Sequence, residues 1–191
     1  GVSYGICSGQ QTFLPVPTPE LPNPPECLEQ CADPVVSHEN GTFVESFILE
    51  LSCPTPNAEI YYTLDGGDPV QASGRGVSSA KYTGPVLING SAEVMVRAYE
   101  PTMLPSSTIN RSFVALSSAV ASFSSNLPII IVDTGRQSVS GSLKLVKAAF
   151  IDTEANGRAN IAGPVNYVGR GGLRIRGSSS SGFAKKQYAL E

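Results

Sequence analysis

The sequence contains no tryptophan, one histidine and two methionines, and only 15% of its 191 residues are charged. An average soluble domain carries about a quarter charged residues, so long helices with one charged face are disfavoured. Acidic residues outnumber basic ones, 16 to 13, and the cations form no stripe or arginine-rich segment. Nucleic acid is thereby excluded as a partner class: neutralising phosphates takes clustered Lys and Arg, and the pair Lys185-Lys186 is too small. No apolar run approaches the roughly 18 residues of a membrane span. The longest, Leu127 to Val132, reads as a buried strand. With one histidine, any Ser-His-Asp or Cys-His arrangement would have to use His38. It precedes Glu39-Asn40-Gly41 in an expected turn, where an exposed histidine is ordinary, and no catalytic role is assigned to it.

What is present points to β structure. Apolar residues make up 41% of the chain, enough to bury a core in one large or two small domains. Nineteen glycines, fifteen prolines and Ser/Thr-rich stretches separate short apolar runs, the pattern of many short strands joined by turns. No charged start followed by an apolar segment opens the sequence, so it reads as a processed chain or part of a longer gene product.

Four cysteines, Cys7, Cys27, Cys31 and Cys53, lie in the first 53 residues. Their even number and loop-rich setting favour two disulfides and an oxidising compartment. Three pairings are open; Cys7–Cys27 with Cys31–Cys53 would staple the leader to the first domain. Cys27 and Cys31 could mimic half of a metal site, but His38 does not complete zinc-finger spacing. Three N-glycosylation sequons, Asn40-Gly-Thr42, Asn89-Gly-Ser91 and Asn110-Arg-Ser112, fall at expected turns or strand ends. Together with the cysteines they indicate a secreted or cell-surface protein.

Residues 1–34 form a leader without periodicity, and its Phe13 to Pro25 stretch prefers polyproline II. Such a run serves as a stiff spacer or as an arm that docks on a neighbouring subunit. From 35 to 116 short strands are expected at Phe47–Ser52, Glu59–Leu64, Lys81–Ile88, Glu93–Tyr99 and Arg111–Leu116, with Val94, Val96 and Ala98 on one face. Asp65-Gly-Gly-Asp-Pro69 is a strong turn signal. The blocks Ile60-Tyr-Tyr-Thr-Leu-Asp-Gly-Gly-Asp-Pro69, Tyr82-Thr-Gly-Pro-Val86 and Val94-Met-Val-Arg-Ala98 resemble the chitobiase/β-hexosaminidase C-terminal domain. That resemblance implies an immunoglobulin- or fibronectin-III-like sandwich, an accessory domain without catalytic residues.

A Ser/Ala-rich link at 117–126 leads to a second unit, 127–191. Strands are expected at Leu127–Thr134, Leu143–Asp152, Tyr167–Arg176 and Gln187–Glu191. The runs Leu127-Pro-Ile-Ile-Ile-Val-Asp133, Leu173-Arg-Ile-Arg-Gly-Ser-Ser-Ser180 and Phe183-Ala-Lys-Lys-Gln-Tyr188 resemble the N-terminal region of the CotH family of atypical kinases. The resemblance departs at Ala184, where that family commonly has proline. It implies that Lys185, Lys186 and Arg176 could contact phosphate, with ATP and magnesium as cofactors of an intact parent kinase. Phosphoryl transfer needs magnesium-holding carboxylates, which in that family lie after this motif, so the chain as it stands is not expected to be an enzyme and needs no cofactor. The bland reading of Gly177 to Lys186 is a solvated hairpin loop, and it is preferred.

Asp152, Glu154 and Asn156, with Gly157 at the sixth position, mimic the first half of an EF-hand loop. The twelfth position is Gly163 instead of the bidentate glutamate, so a polar turn is the better reading. Tyr61 and Tyr62 point to opposite faces of their strand, and the outward one could touch a sugar or a partner.

The chain thus reads as an all-β protein: an Ig/Fn3-like sandwich, a second β-rich unit and a proline-rich arm. Its expected function is an extracellular structural or interaction module that joins other subunits, as homo-oligomer or polymer, by strand or arm exchange. The alternatives are the non-catalytic N-terminal part of a CotH-type kinase and a carbohydrate-binding accessory domain.

Overall fold

The computed structural model describes residues 3–7, 10–14, 29–71, 78–177 and 179–191. The chain is all-β, as the short apolar runs require. Strands β1 (Ser3–Cys7) and β2 (Gln10–Leu14) form an antiparallel hairpin in register Ser3↔Leu14 to Cys7↔Gln10. This corrects the expectation of an irregular leader. The aromatic and β-branched residues Tyr4, Ile6, Thr12 and Phe13 give both arms strand propensity, and that signal is too short to stand out beside the prolines that follow. Residues 15–28, which carry the proline-rich run, lie outside the described residues.

Next come β3 (Val35–Val36), β4 (Gly41–Phe43), β5 (Phe47–Leu49), β6 (Leu51–Ser52), β7 (Glu59–Thr63), β8 (Ala80–Lys81), β9 (Val86–Ile88), β10 (Ala92–Tyr99) and β11 (Ile109–Ala115). One layer is the sheet β4-β11-β10-β7-β8; the pairs β3-β6 and β5-β9 supply the other. Two runs expected as single strands are each divided. Phe47–Ser52 breaks at Glu50, so that β5 pairs with β9 and β6 with β3. Lys81–Ile88 breaks at the Tyr82–Pro85 turn, so that β8 joins the large sheet while β9 crosses to the facing layer. Sandwich corners are made by such switches.

The core follows from period-two alternation. Val94, Val96 and Ala98 are fully buried, and Val94 and Val96 pack with Val36, Leu49, Leu51, Ile60, Ile88 and Phe113. Fully burying one such side chain stabilises the fold by about 1.5–3 kcal/mol. Phe43, Phe47 and Phe113 close one side with edge-on ring contacts, Phe47 standing 5.1 Å from each of the other two.

Around residue 117 the chain passes to a second set of strands: β12 (Ser124–Ser125), β13 (Ile129–Asp133), β14 (Lys144–Ile151), β15 (Ala159–Asn160), β16 (Tyr167–Arg176) and β17 (Gln187–Leu190). The antiparallel sheet β13-β14-β16-β17 is accompanied by the small pair β12-β15. The Ser/Ala stretch is therefore not a bare link, because it contains a 3-10 turn at Ser118–Val120 and strand β12. Leu116, Ile129, Ile151, Ala159 and Ile161 form a second core, with Ile131 and Val165 against it. Strands β14 and β16 lie on β11, so this sheet packs on the sandwich. Thr42 donates a hydrogen bond to the Ile161 carbonyl at 3.3 Å, and Arg170 donates one to the Gly66 carbonyl at 3.0 Å.

Two substitutions test this packing. Ile88→Ala, at a residue 2% exposed, is expected to destabilise the protein by about 2–5 kcal/mol in urea unfolding. Its neighbour Leu87 is 54% exposed, and Leu87→Ala should stay within about 0.5 kcal/mol of the wild type. Equal effects would mean that β9 is not seated as described. Gly66 has φ +81°, and a Cβ there would stand 2.8 Å from Glu93 Cγ and 2.9 Å from Arg170 Nη1. Gly66→Ala should therefore cost at least about 1–2 kcal/mol, whereas Gly84→Ala, with open space around it, should cost far less.

Candidate interaction site

The second sheet ends in an unusual edge. Strand β17 pairs with β16 in register Leu173↔Leu190 to Arg176↔Gln187, and the ladder continues through Gly172 and Glu191, whose N–H and C=O groups exchange both bonds. The C-terminal strand is thus an edge strand. Antiparallel pairing alternates hydrogen-bonded and open positions. Glu191, Ala189 and Gln187 bond inward, so the N–H and C=O groups of Tyr188 and Leu190 face outward. Among the described residues no strand occupies that side.

One face of this sheet is largely apolar. Register places Ile130 opposite Phe150 and Phe150 opposite Tyr167, with the last two rings 5.9 Å apart. Ile175 and Tyr188 are on the same face at the other end of β16. Ile130, Tyr167 and Tyr188 are all exposed. The opposite face carries Ile129, Ile131 and Ile151 into the second core. The Phe150 face combines the exposed Ile130, Tyr167 and Tyr188 with the buried Val146, Ala148 and Leu173.

The sequence-derived sites fall as follows. Of the Gly177 to Lys186 segment, Gly177 follows β16 at φ +98°, and residues 179–186 lead into β17 through a 3-10 turn at Ser179–Gly182. Lys186 donates to the Ser181 carbonyl and closes this loop, while Lys185 and Arg176 are exposed. Asp152, Glu154 and Asn156 lie in a polar turn. Asp152 accepts from the Thr153 N–H, Asn156 accepts from the Arg158 N–H, and Gly157 sits at φ +74°. Among the described residues no three His, Cys, Asp or Glu side chains group as metal ligands. His38 is exposed, bonded to Ser37 and tilted against the Phe47 ring.

Cys31 and Cys53 are neighbours and stand as free thiols. Cys53 donates to the carbonyl of Ala32 at 3.4 Å, and Cys31 is buried. Burial, and next the Cys53 charge, push the Cys31 thiol pKa up. Cys7 ends β1, and Cys27 lies outside the described residues. Asn40, Asn89 and Asn110 are all exposed. The Asn40 side-chain carbonyl accepts from the Ser112 N–H at 2.8 Å, and the Ser112 hydroxyl is itself buried against Glu93.

Tyr62 packs on the core and Tyr61 on the outer face, as alternation requires. Tyr61 donates to Glu59, which also accepts from Lys81 at 2.6 Å. The Lys81 bond, before that from Tyr61, holds the Glu59 carboxyl below its ordinary range. Tyr99 meets Tyr61 edge-on at 5.6 Å.

Sequence reasoning missed Glu93, Ser112 and Arg170. Glu93 sits at a position that alternation assigns to solvent, yet it is 1% exposed. The signal that could have found it is the register pairing Glu93↔Ser112, invisible until β10 and β11 are aligned.

No helix among the described residues is long and apolar enough to cross a membrane. No curated protein and no solved structure is similar enough to match the chain, and no comparison connects the second sheet with the CotH family. Residues 49–113, within the sandwich, are similar to the Fn3 associated family, whose model they match.

Proposed function

We propose that the chain is an extracellular, non-catalytic interaction module that joins further copies of itself by strand addition at β17. One observation carries the reading: the outward-facing residues of β17, Tyr188 and Leu190, bring neither charge nor proline to the edge, and the Tyr188 side chain is exposed. Natural sheets blunt their edges with short strands, charges or proline. The sandwich obeys this rule. Its edge strand β8 is two residues long and ends in Lys81, and β4 has three residues. An edge left open while its neighbours are protected favours pairing with another chain. Tyr188, exposed beside Ile175 at this end of the sheet, supplies apolar surface that such a contact would cover.

Light scattering over a concentration series tests this. The wild type is expected to associate reversibly as concentration rises. Leu190→Pro removes an outward N–H without touching the β16 ladder, and should stay monomeric with an unchanged circular dichroism spectrum. A wild type that remains monomeric at the highest concentration sinks the proposal.

An extracellular setting also bears on the thiols. Exchange with a small-molecule disulfide would convert Cys31 and Cys53 to one protein disulfide and release two small thiols. Non-reducing digestion of protein exported to an oxidising compartment is expected to yield a Cys31–Cys53 linked peptide. Full alkylation of both cysteines without reduction would contradict it.

A further inference from the structure

A cleft of about 620 Å³ opens where the β13–β14 loop, β14 and β16 face the turns of the sandwich. Small-ligand sites occupy about 300–1,000 Å³. Its charged lining sets Asp65, Glu93 and Asp133 against Arg136, Lys147 and Arg170. Among the described residues none of these six forms an ion pair with another. Asp133, Lys147 and Arg170 are directly opposite one another across three strands, so that neighbouring side chains start about 5 Å apart.

The groups are held in place individually. Asp65 Oδ1 accepts from the Gly67 N–H and the Ser78 hydroxyl, each at 3.0 Å. Asp133 Oδ1 accepts from the Gly135 N–H at 2.8 Å, and Glu93 Oε2 from the Ser112 hydroxyl at 2.6 Å. Each carboxylate keeps its second oxygen outside these bonds. That of Glu93 is buried without a hydrogen-bond partner, a costly arrangement that a ligand donor would relieve. Among the described residues Lys147 reaches the Ser91 carbonyl, at 3.4 Å, and Arg170 uses Nη1 on the Gly66 carbonyl. Arg136 is held at φ +65° in the Thr134–Gln137 turn, directly after Gly135 at φ +60°. A non-glycine residue there is strained, and such strain concentrates at functional sites.

A simple anion would meet three carboxylates in this cleft and a simple cation three positive groups. We infer that the cleft binds a small zwitterion, a free α-amino acid. Its carboxylate lies among Arg136, Lys147 and Arg170, and its ammonium on Glu93 and Asp133.

The test is calorimetric titration of the full chain with glycine, L-glutamate and L-lysine, each to about 10 mM, ten times a millimolar Kd. At least one is expected to bind, and its N-acetyl and carboxamide forms should each bind about tenfold more weakly or worse. Arg136→Gly keeps the left-handed turn and Asp133→Asn keeps the bond to Gly135; both should lose affinity by a similar factor. The inference is overturned if no amino acid binds, if either capped form binds as well as the free one, or if both variants bind like the wild type. The capped ligands are titrated into the unaltered protein, so their outcome stands even where a variant fails to fold. Strand addition at β17 is read by association state and is independent of it.

Discussion

The ladder between β10 and β11 is buried on both faces, and most of the molecule is arranged around that constraint. On the inner face Val94, Val96 and Phe113 enter the sandwich core. On the outer face Glu93, Ser112 and Val114 are sealed, with β14 and β16 packed on β11. Because side chains alternate with a period of two, a one-residue slip would drive Glu93 into the hydrocarbon core and Val94 against Ser112. The buried polar pair is individually expensive, but it makes the correct register much better than its neighbours. A hydrogen bond in a low-dielectric setting is strong when made and costly when missed. The Glu93–Ser112 bond of 2.6 Å fixes the register from the outside, as the valines do from the inside.

How much of this was legible depended on which signal each residue carried. Val94, Val96 and Ala98 announce a buried face, because apolar residues at alternate positions have one physical explanation. The Asp65-Gly-Gly-Asp-Pro69 turn was equally clear, and Asp65 accepts from the Gly67 N–H within it. Glu93 was not legible. A glutamate between apolar neighbours looks like a solvent-facing position, and only the arrival of a second sheet buries it. The division of Phe47–Ser52 was hidden for a related reason: the run is uniformly strand-like, and the choice of partner is made by β3 and β9, far away in sequence. The cleft was least visible of all. Its six charges come from separate turns and strands between residues 65 and 170, and no local spacing connects them.

The two halves of the chain treat solvent differently. The sandwich finishes its edges with very short strands and places the Glu59–Lys81 ion pair across one of them. That pair is exposed and adds little stability, yet it places charge where another strand would have to dock. The second sheet turns one face to the sandwich, and its edge strand β17 presents Tyr188 and Leu190 outward. Its own core is small, built from Leu116, Ile129, Ile151, Ala159 and Ile161. Much of what orders it is therefore contact with the sandwich, and its other face keeps Ile130, Tyr167 and Tyr188 exposed around the buried Val146, Ala148 and Leu173.

This division places the proposed contacts on opposite sides of one sheet. The face carrying Asp133, Lys147 and Arg170 is turned to the sandwich, and the face carrying Ile130, Tyr167 and Tyr188 is turned away. A ligand in the cleft would touch both sets of strands and would stabilise only the docked arrangement. Strand addition at β17 extends the same sheet sideways, through backbone groups of Tyr188 and Leu190 that the cleft does not use. The seat that joins these regions is the Gly66 turn, where φ +81° and the lack of a Cβ let Arg170 reach a backbone carbonyl over Glu93. A side chain there would push against both partners at once. Gly66 therefore couples the local conformation of one turn to the docking of an entire sheet.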